Sequence, residues 1–352
     1  MMRFLHLTLL CAVLNFSSTR LALEYSPQPA DPTMESEGSQ KSSEDEEAPL
    51  TSPIILQSKD GGTTWQNISQ GLPMAEEPED FFAGDSELYL RLKNRMYHSP
   101  SNLSYPSWKR DQTLDPLSTS ITFNSSGVKA LNYNNGKIFQ KQPSGIWKPV
   151  YENFKRNLIR TTFETSDGAI FIGCDSGLYK STDKGKSWKL VLKEGGVMNL
   201  VESESVLIGI GQKGIMRSTD KGEHWDWVIS EGGVGIYVTH IKGGFAAISY
   251  NTTSQTRRIR ISLDKGETWR AIDDQFQSTF YIPIHGAPRS SSLISSIKQV
   301  GEYLICGHPD GIYQSKNMGK TWNIVYSGVE NKVFTIYVSG ATLYAILRNG
   351  GC

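Results

Sequence analysis

Four segments set a serine, an aspartate, a glycine and a tryptophan on one frame: SKDGGTTW (58–65), STDKGKSW (181–188), STDKGEHW (218–225) and SLDKGETW (262–269). A fifth, SKNMGKTW (315–322), carries Asn317 where the others carry aspartate. Carboxylates repeated at this spacing could do catalysis, bind calcium or make turns, and the frame favours turn-making. An Asp side chain can accept N–H groups of its own turn. The glycine supplies a positive φ, and the tryptophan can lie beneath the turn, burying on the order of 200 Å². Ser58, Asp60, Gly62, Trp65, Ser181, Asp183, Gly185, Trp188, Ser218, Asp220, Gly222, Trp225, Ser262, Asp264, Gly266, Trp269, Ser315, Asn317, Gly319 and Trp322 are therefore read as a folding device. Other reactive types are scattered. His98, His224 and His308 show no ligand spacing, and no phosphate loop, nucleophile elbow or paired-histidine zinc motif occurs. Cys174, Cys306 and Cys352 make neither a disulfide framework nor a metal site, although Cys306 and Cys352 could form one pair. No cofactor and no metal are expected.

Turns so alike need like strands to hold them. Trp108, ending HSPSNLSYPSW, and Trp147, ending FQKQPSGIW, mark two further units whose box is lost. Tryptophans at 65, 108, 147, 188, 225, 269 and 322 then recur at the length of a four-stranded blade. Within a unit the apolar residues alternate with period two, as in IRTTFET, AIFIGC, GLYKST and SWKLVL between 159 and 192. The stretch 333–351 offers an inner and a second strand only, and the stretch from Pro53 a third and an outer strand only. Joined, they complete one blade and remove exposed sheet edges. The predicted fold is all-β, a seven-bladed propeller over 53–352 closed by strands from both ends of the chain.

The repeated segments resemble the Asp-box (BNR-type) propeller superfamily, which includes sialidases, sortilin-type receptors and photosystem II assembly factors. The resemblance implies the fold more than the activity. Sialidases add an arginine triad, a Tyr–Glu nucleophile pair and an acid Asp. The string here nearest to their Arg-Ile-Pro motif is Tyr281-Ile282-Pro283. Sortilin-type domains are secreted and glycosylated, with more blades and a cysteine-rich module after the ring.

Residues 1–23 read as a secretory signal: Arg3 precedes the apolar run Phe4–Leu14, followed by Ser17, Ser18 and Thr19. Residues 24–52 read as an acidic disordered linker, with eight acids against Lys41. Removing those eight acids with Arg3, Arg20 and Lys41 from totals of 36 and 36 leaves 33 basic and 28 acidic residues over 51–352. That mild excess has no basic stripe with interleaved aromatics, so nucleic acid is not an expected partner. No second apolar run reaches membrane length, and a monomer is expected. Asn67, Asn102, Asn124 and Asn251 head Asn-x-Ser/Thr sequons, with Asn124 and Asn251 the foremost expected glycan sites.

In such a ring the connections from outer strand to next inner strand share one face with those from second to third strand. The boxes share the other. The longest connection, 271–292, lies on the first face and carries Phe280, Tyr281, His285 and Arg289, types that anchor interfaces. A second long loop is expected at 66–79, and His240 and Tyr237 are candidates for the channel. The inner strands VMNLVES, VGIYVTHI and VFTIYVS are mostly apolar, Glu202 excepted. The expected function is non-catalytic binding of a protein or peptide by a secreted or lumenal module. The alternative is a sialidase-like glycoside hydrolase working at the channel mouth, which would need two acids and several arginines at the axis.

Overall fold

Short runs such as Ile170–Cys174 and Val206–Gly211 are buried at every position, as a strand packed on both faces must be. Outer runs such as Lys189–Lys193 are largely exposed. Strands therefore pair in sets of four, graded from a buried centre to a wet edge. The computed structural model describes residues 55–73, 76–114, 119–154, 158–230, 233–254, 256–276, 294–329 and 332–349. They form seven four-stranded antiparallel sheets, and no helix occurs among them. The fold is a seven-bladed β-propeller.

The inner strands, blade 1 to blade 7, are Lys332–Ser339, Pro78–Ala83, Thr119–Asn124, Ile159–Glu164, Val197–Ser203, Gly233–Ile241 and Ser296–Val300. Blade 1 is completed by Thr342–Asn349, Ile55–Ser58 and Gln66–Asn67. Its closing register pairs Ile55 with Ile346, Gln57 with Tyr344 and Ser58 with Leu343. The closure read from the sequence is the closure observed. Apolar clusters fill the spaces between neighbouring blades. One brings Ile248 and Ile259 of blade 6 against Ile297, Leu304 and Trp322 of blade 7.

Two boundaries differ from expectation. Residues 66–79 are not one loop, because Gln66–Asn67 is the outer strand of blade 1 and Pro78–Glu79 opens the inner strand of blade 2. In the boxes the tryptophan precedes the outer strand instead of beginning it, as Trp188 precedes Lys189–Lys193. The ring lies in the turn while the next residues resume pairing.

Candidate functional site

The box face is built from repeated local bonds. In each of the five boxes the serine hydroxyl donates to the acceptor two residues on, from Ser58 to Asp60 (2.8 Å), Ser181 to Asp183 (2.8 Å), Ser218 to Asp220 (2.8 Å), Ser262 to Asp264 (2.7 Å) and Ser315 to Asn317 (3.0 Å). The same hydroxyl accepts the buried glycine N–H four residues on, as Ser218 does from Gly222 at 2.9 Å. The Asp carboxylate then takes the N–H and side chain of the residue four further on, as in Thr64, Ser187, His224 and Thr268. These bonds hold Asp60 and Asp264 at about 2, the Thr64 and Thr268 hydroxyls contributing most. In the fifth box the polarity inverts: the Asn317 amide donates to the Thr321 hydroxyl at 2.8 Å, so the turn survives without a charge. The residue before the glycine is left-handed as well, Lys184 at φ 61 and Lys221 at φ 62. The serine and the Asp or Asn of every box thus have partners within their own turn, as turn-making requires, whereas the buried Trp188 Nε1–H has no partner among the described residues.

The opposite, loop face carries the connection between blades 6 and 7. Phe280, Tyr281, His285 and Arg289 lie in 277–293, outside the described residues. The root of that connection is fixed. Arg258 donates to Asp273 at 2.8 Å and to Asp274, and Ile259 N–H donates to Asp273 at 2.9 Å. Burial pushes the Asp273 carboxyl upward against the pull of these donors. Phe276 stacks on His308 with centroids 5.5 Å apart and meets Tyr313 at 4.8 Å and Trp322 at 5.3 Å. His308 Nδ1 accepts the Asp310 N–H at 3.1 Å, while its buried Nε2 has no partner among the described residues. Burial pulls this imidazole below its ordinary value, against the Asp310 carboxylate 3.4 Å from Nδ1.

Also on the loop face, a cleft of about 340 Å³ lies between blades 5 and 6. Trp227, Lys213, Gln212, Val234 and Thr252 line it. Trp227 is the one tryptophan outside the blade series, and that mismatch was the sequence signal for it. Of the channel candidates, Tyr237 packs against the cluster between blades 6 and 7, and the Lys298 ammonium lies 4.8 Å from its ring centroid. His240 is exposed at the far end of its strand.

The inner strands hold more charge than the apolar examples suggested: Glu79, Asp80, Glu164 and Glu202 are all on them. Each has a partner. Asp80 meets Arg348 at 3.1 Å and Arg91 at 3.6 Å, and Glu79 meets Arg91 at 3.3 Å. Glu164 accepts from Ser126 at 2.5 Å, and Glu202 accepts Ser166 N–H at 2.7 Å. The box face is interrupted in one sector. There a cleft of about 660 Å³ opens where blade 3 has lost its box, lined by Ser126, Gln140, Lys141 and Gln142. Cys174 and Cys306 are both buried, and Cys352 lies outside the described residues. No group of three or more metal-ligating side chains occurs among the described residues.

No family model matches the chain, and no curated protein matches it by sequence. Solved structures do match. One is an extracellular domain from B. thetaiotaomicron, at 12% identity and TM-score 0.54, covering 74% of this chain and 35% of that one. Another is YCF48 bound to D1 peptide, at 13% and 0.52, covering 80% and 95%. A third is a GH74 xyloglucanase from Xanthomonas campestris, at 13% and 0.54, covering 81% and 53%. The chain thus spans about a third of the first of these. At such identities the likeness establishes the propeller and nothing finer.

Proposed function

We propose that this chain is an Asp-box propeller of the secretory route that binds a protein or peptide on its loop face and performs no catalysis. The observation that carries the reading is the state of the inner-strand acids. A glycoside hydrolase needs an acid and a base or nucleophile flanking the scissile bond. Glu79, Asp80, Glu164 and Glu202 are instead committed to arginines, serines and backbone. Two neighbours lend support by kind: one is an extracellular domain, and YCF48 was solved with a peptide. The ligand surface would join the cleft at Trp227 to the connection bearing Phe280, Tyr281, His285 and Arg289. Residues 1–23 would leave as a signal, and 24–52 would remain as an acidic linker before the 53–352 ring, which would act as a monomer.

The test is capture from secretory fluid by the full chain, by Tyr281→Ala and Arg289→Ala, and by a deletion of 277–290. The deletion spares 273–276, because Asp273 and Phe276 belong to the core. Loss of the same captured polypeptides in all three, at unchanged Tm, is the expected result. Undiminished capture by the deletion would move the site to the channel, and turnover of glycosides by the wild type would replace the reading with the hydrolase.

A further inference from the structure

The four sequons occupy very different surroundings. Asn124 is claimed by the fold. Its Oδ1 accepts from the Lys129 ammonium at 3.0 Å and from Ser126 at 3.2 Å, while its Nδ2 is buried without a partner. Lys129 is 1% exposed, and its ammonium also donates to Ser126 and lies 3.8 Å from Glu164. Asn124 and Ser126, the two sequon positions that a transferase reads, are thus two walls of a cage for a buried cation. A glycan on Nδ2 would have to turn this amide outward and strip the ammonium of its neutral oxygen. A buried charge left short of partners is strongly unfavourable.

Asn102 is the opposite case. It sits in the worn turn of blade 2, where residues 102–105 are all exposed. The turn is pinned at both ends: Ser101 N–H donates to Ser86 O at 3.0 Å, and Ser107 N–H donates to Ser99 Oγ at 2.9 Å. Pro106 beside it is buried. Neither Asn102 nor its sequon hydroxyl Ser104 makes a side-chain hydrogen bond among the described residues. Leu103 and Tyr105 stand 37% and 58% exposed on this projection. Both flank the sequon asparagine closely enough in sequence for a sugar attached there to reach them.

We infer that Asn102 carries the N-linked glycan, that the glycan lies over Leu103 and Tyr105, and that Asn124 carries none. The inference rests on the secretory reading above. In the transfer, Asn102 Nδ2 attacks the anomeric carbon of a polyprenyl-diphosphate-linked oligosaccharide. A C–N bond forms, the C–O bond to the diphosphate breaks, polyprenyl diphosphate leaves with the electron pair, and Nδ2 loses one proton. The sugar rings present C–H faces to Tyr105, the contact that an exposed aromatic beside a glycan offers. Asn67 and Asn251 use Oδ1 for backbone donors of their own turns.

The experiment is expression of the full chain in cultured animal cells. Mass mapping follows treatment with a glycan amidase, which converts each glycan-bearing Asn to Asp. Asn102 should be converted in most molecules, and Asn124 should stay Asn. Asn102→Gln should remove one step of electrophoretic mobility. Asn124→Gln should leave the number of steps unchanged and lower the Tm, and Ser126→Ala, which also destroys that sequon, should likewise leave the steps unchanged. Oxidative labelling of Tyr105 should rise several-fold once the glycan is removed. A glycan at Asn124, a bare Asn102 in a chain glycosylated elsewhere, or unchanged Tyr105 labelling overturns the inference while sparing the secretory reading. A chain with an intact N-terminus and no glycan overturns both.

Discussion

The boxed turns and the two worn turns reach the same blade by different bonds. In blades 1, 5 and 6 the tryptophan Nε1–H closes on its own turn, donating to Gly62, Gly222 and Gly266 carbonyls at 3.0, 3.1 and 3.1 Å. In blades 2 and 3 no such carbonyl is at hand. Trp108 donates to Ile68 O of blade 1 at 3.1 Å, and Trp147 to Asp111 of blade 2 at 3.4 Å. Lys141 of blade 3 adds bonds to Glu87 (2.5 Å) and Tyr89 (2.8 Å) of blade 2. What differs is the tryptophan donor, which these boxed turns keep and the worn turns hand to the blade before; boxed turns still accept bonds from neighbouring blades, as Gly61 O does from Gln314 and Lys265 O from Arg217. Leu103, Tyr105 and Ile146 are exposed on the worn turns, and Leu263 is exposed within a box.

Blade 7 combines both modes, and there the largest effect is expected. Trp322 is 4% exposed, sits over an intact box and still donates to Ile272 O of blade 6 at 2.9 Å. Trp322→Ala should lower stability by about 3–5 kcal/mol in denaturant unfolding, as loss of a large buried aromatic does. A loss under about 1 kcal/mol would mean that blade and box hold without it. Ser218→Ala comes next, at about 1–2 kcal/mol, because the Gly222 N–H loses its acceptor in a buried place. Its increased hydrogen exchange should stay within 218–225, and spread into blade 4 or 6 would show that this hydroxyl also supports the neighbouring blades.

Trp108→Phe keeps the ring and removes the bond to Ile68, for about 1 kcal/mol. Here exchange should rise at the seam between blades 1 and 2 and not within the turn itself. Acid separates the two kinds of turn most gently. Asp60 and Asp264 lie at about 2, below their ordinary 3.8, so the folded state binds protons less readily than the unfolded one. Their stabilisation is complete above about pH 4 and is lost as the pH falls toward 2. Solvent screening keeps each contribution small. Asp264→Asn should flatten the fall in Tm over that range, whereas Asn317→Asp should steepen it. Equal slopes in both variants would show that the box carboxylates do not govern acid unfolding.

The ring was legible because its signals are local and repeated. Seven tryptophans, period-two runs such as AIFIGC and five boxes locate blades without any knowledge of distant contacts. Closure was legible because each chain end lacked what the other had. Partner choice was not. Lys298 over Tyr237, Asp80 between Arg91 and Arg348, and the cage around Lys129 join residues from different strands or blades, and no spacing in the chain announces them. The sequon Asn124-Ser125-Ser126 shows the limit well. Its three letters advertise a glycan, whereas the fate of its amide depends on Lys129 and Glu164. The start of the inner strand Pro78–Ala83 was hidden for a related reason: Glu76, Glu77 and Glu79 read as loop until Arg95, Lys332 and Arg91 answer them.

The closing blade also sets a schedule. Gln57 and Tyr344 face one another across its central pair, 287 residues apart in sequence. During synthesis, blades 2 to 7 can each complete as their four strands emerge. Ile55–Ser58 must wait, buried apolar side chains and unpaired edge included, until almost the whole chain has been made. Closing contacts of such separation form late and slowly. For that interval the nascent ring is an open fan whose first strand is its stickiest edge. A ribosome stalled within the last blade would release a protein with six finished blades and no circle.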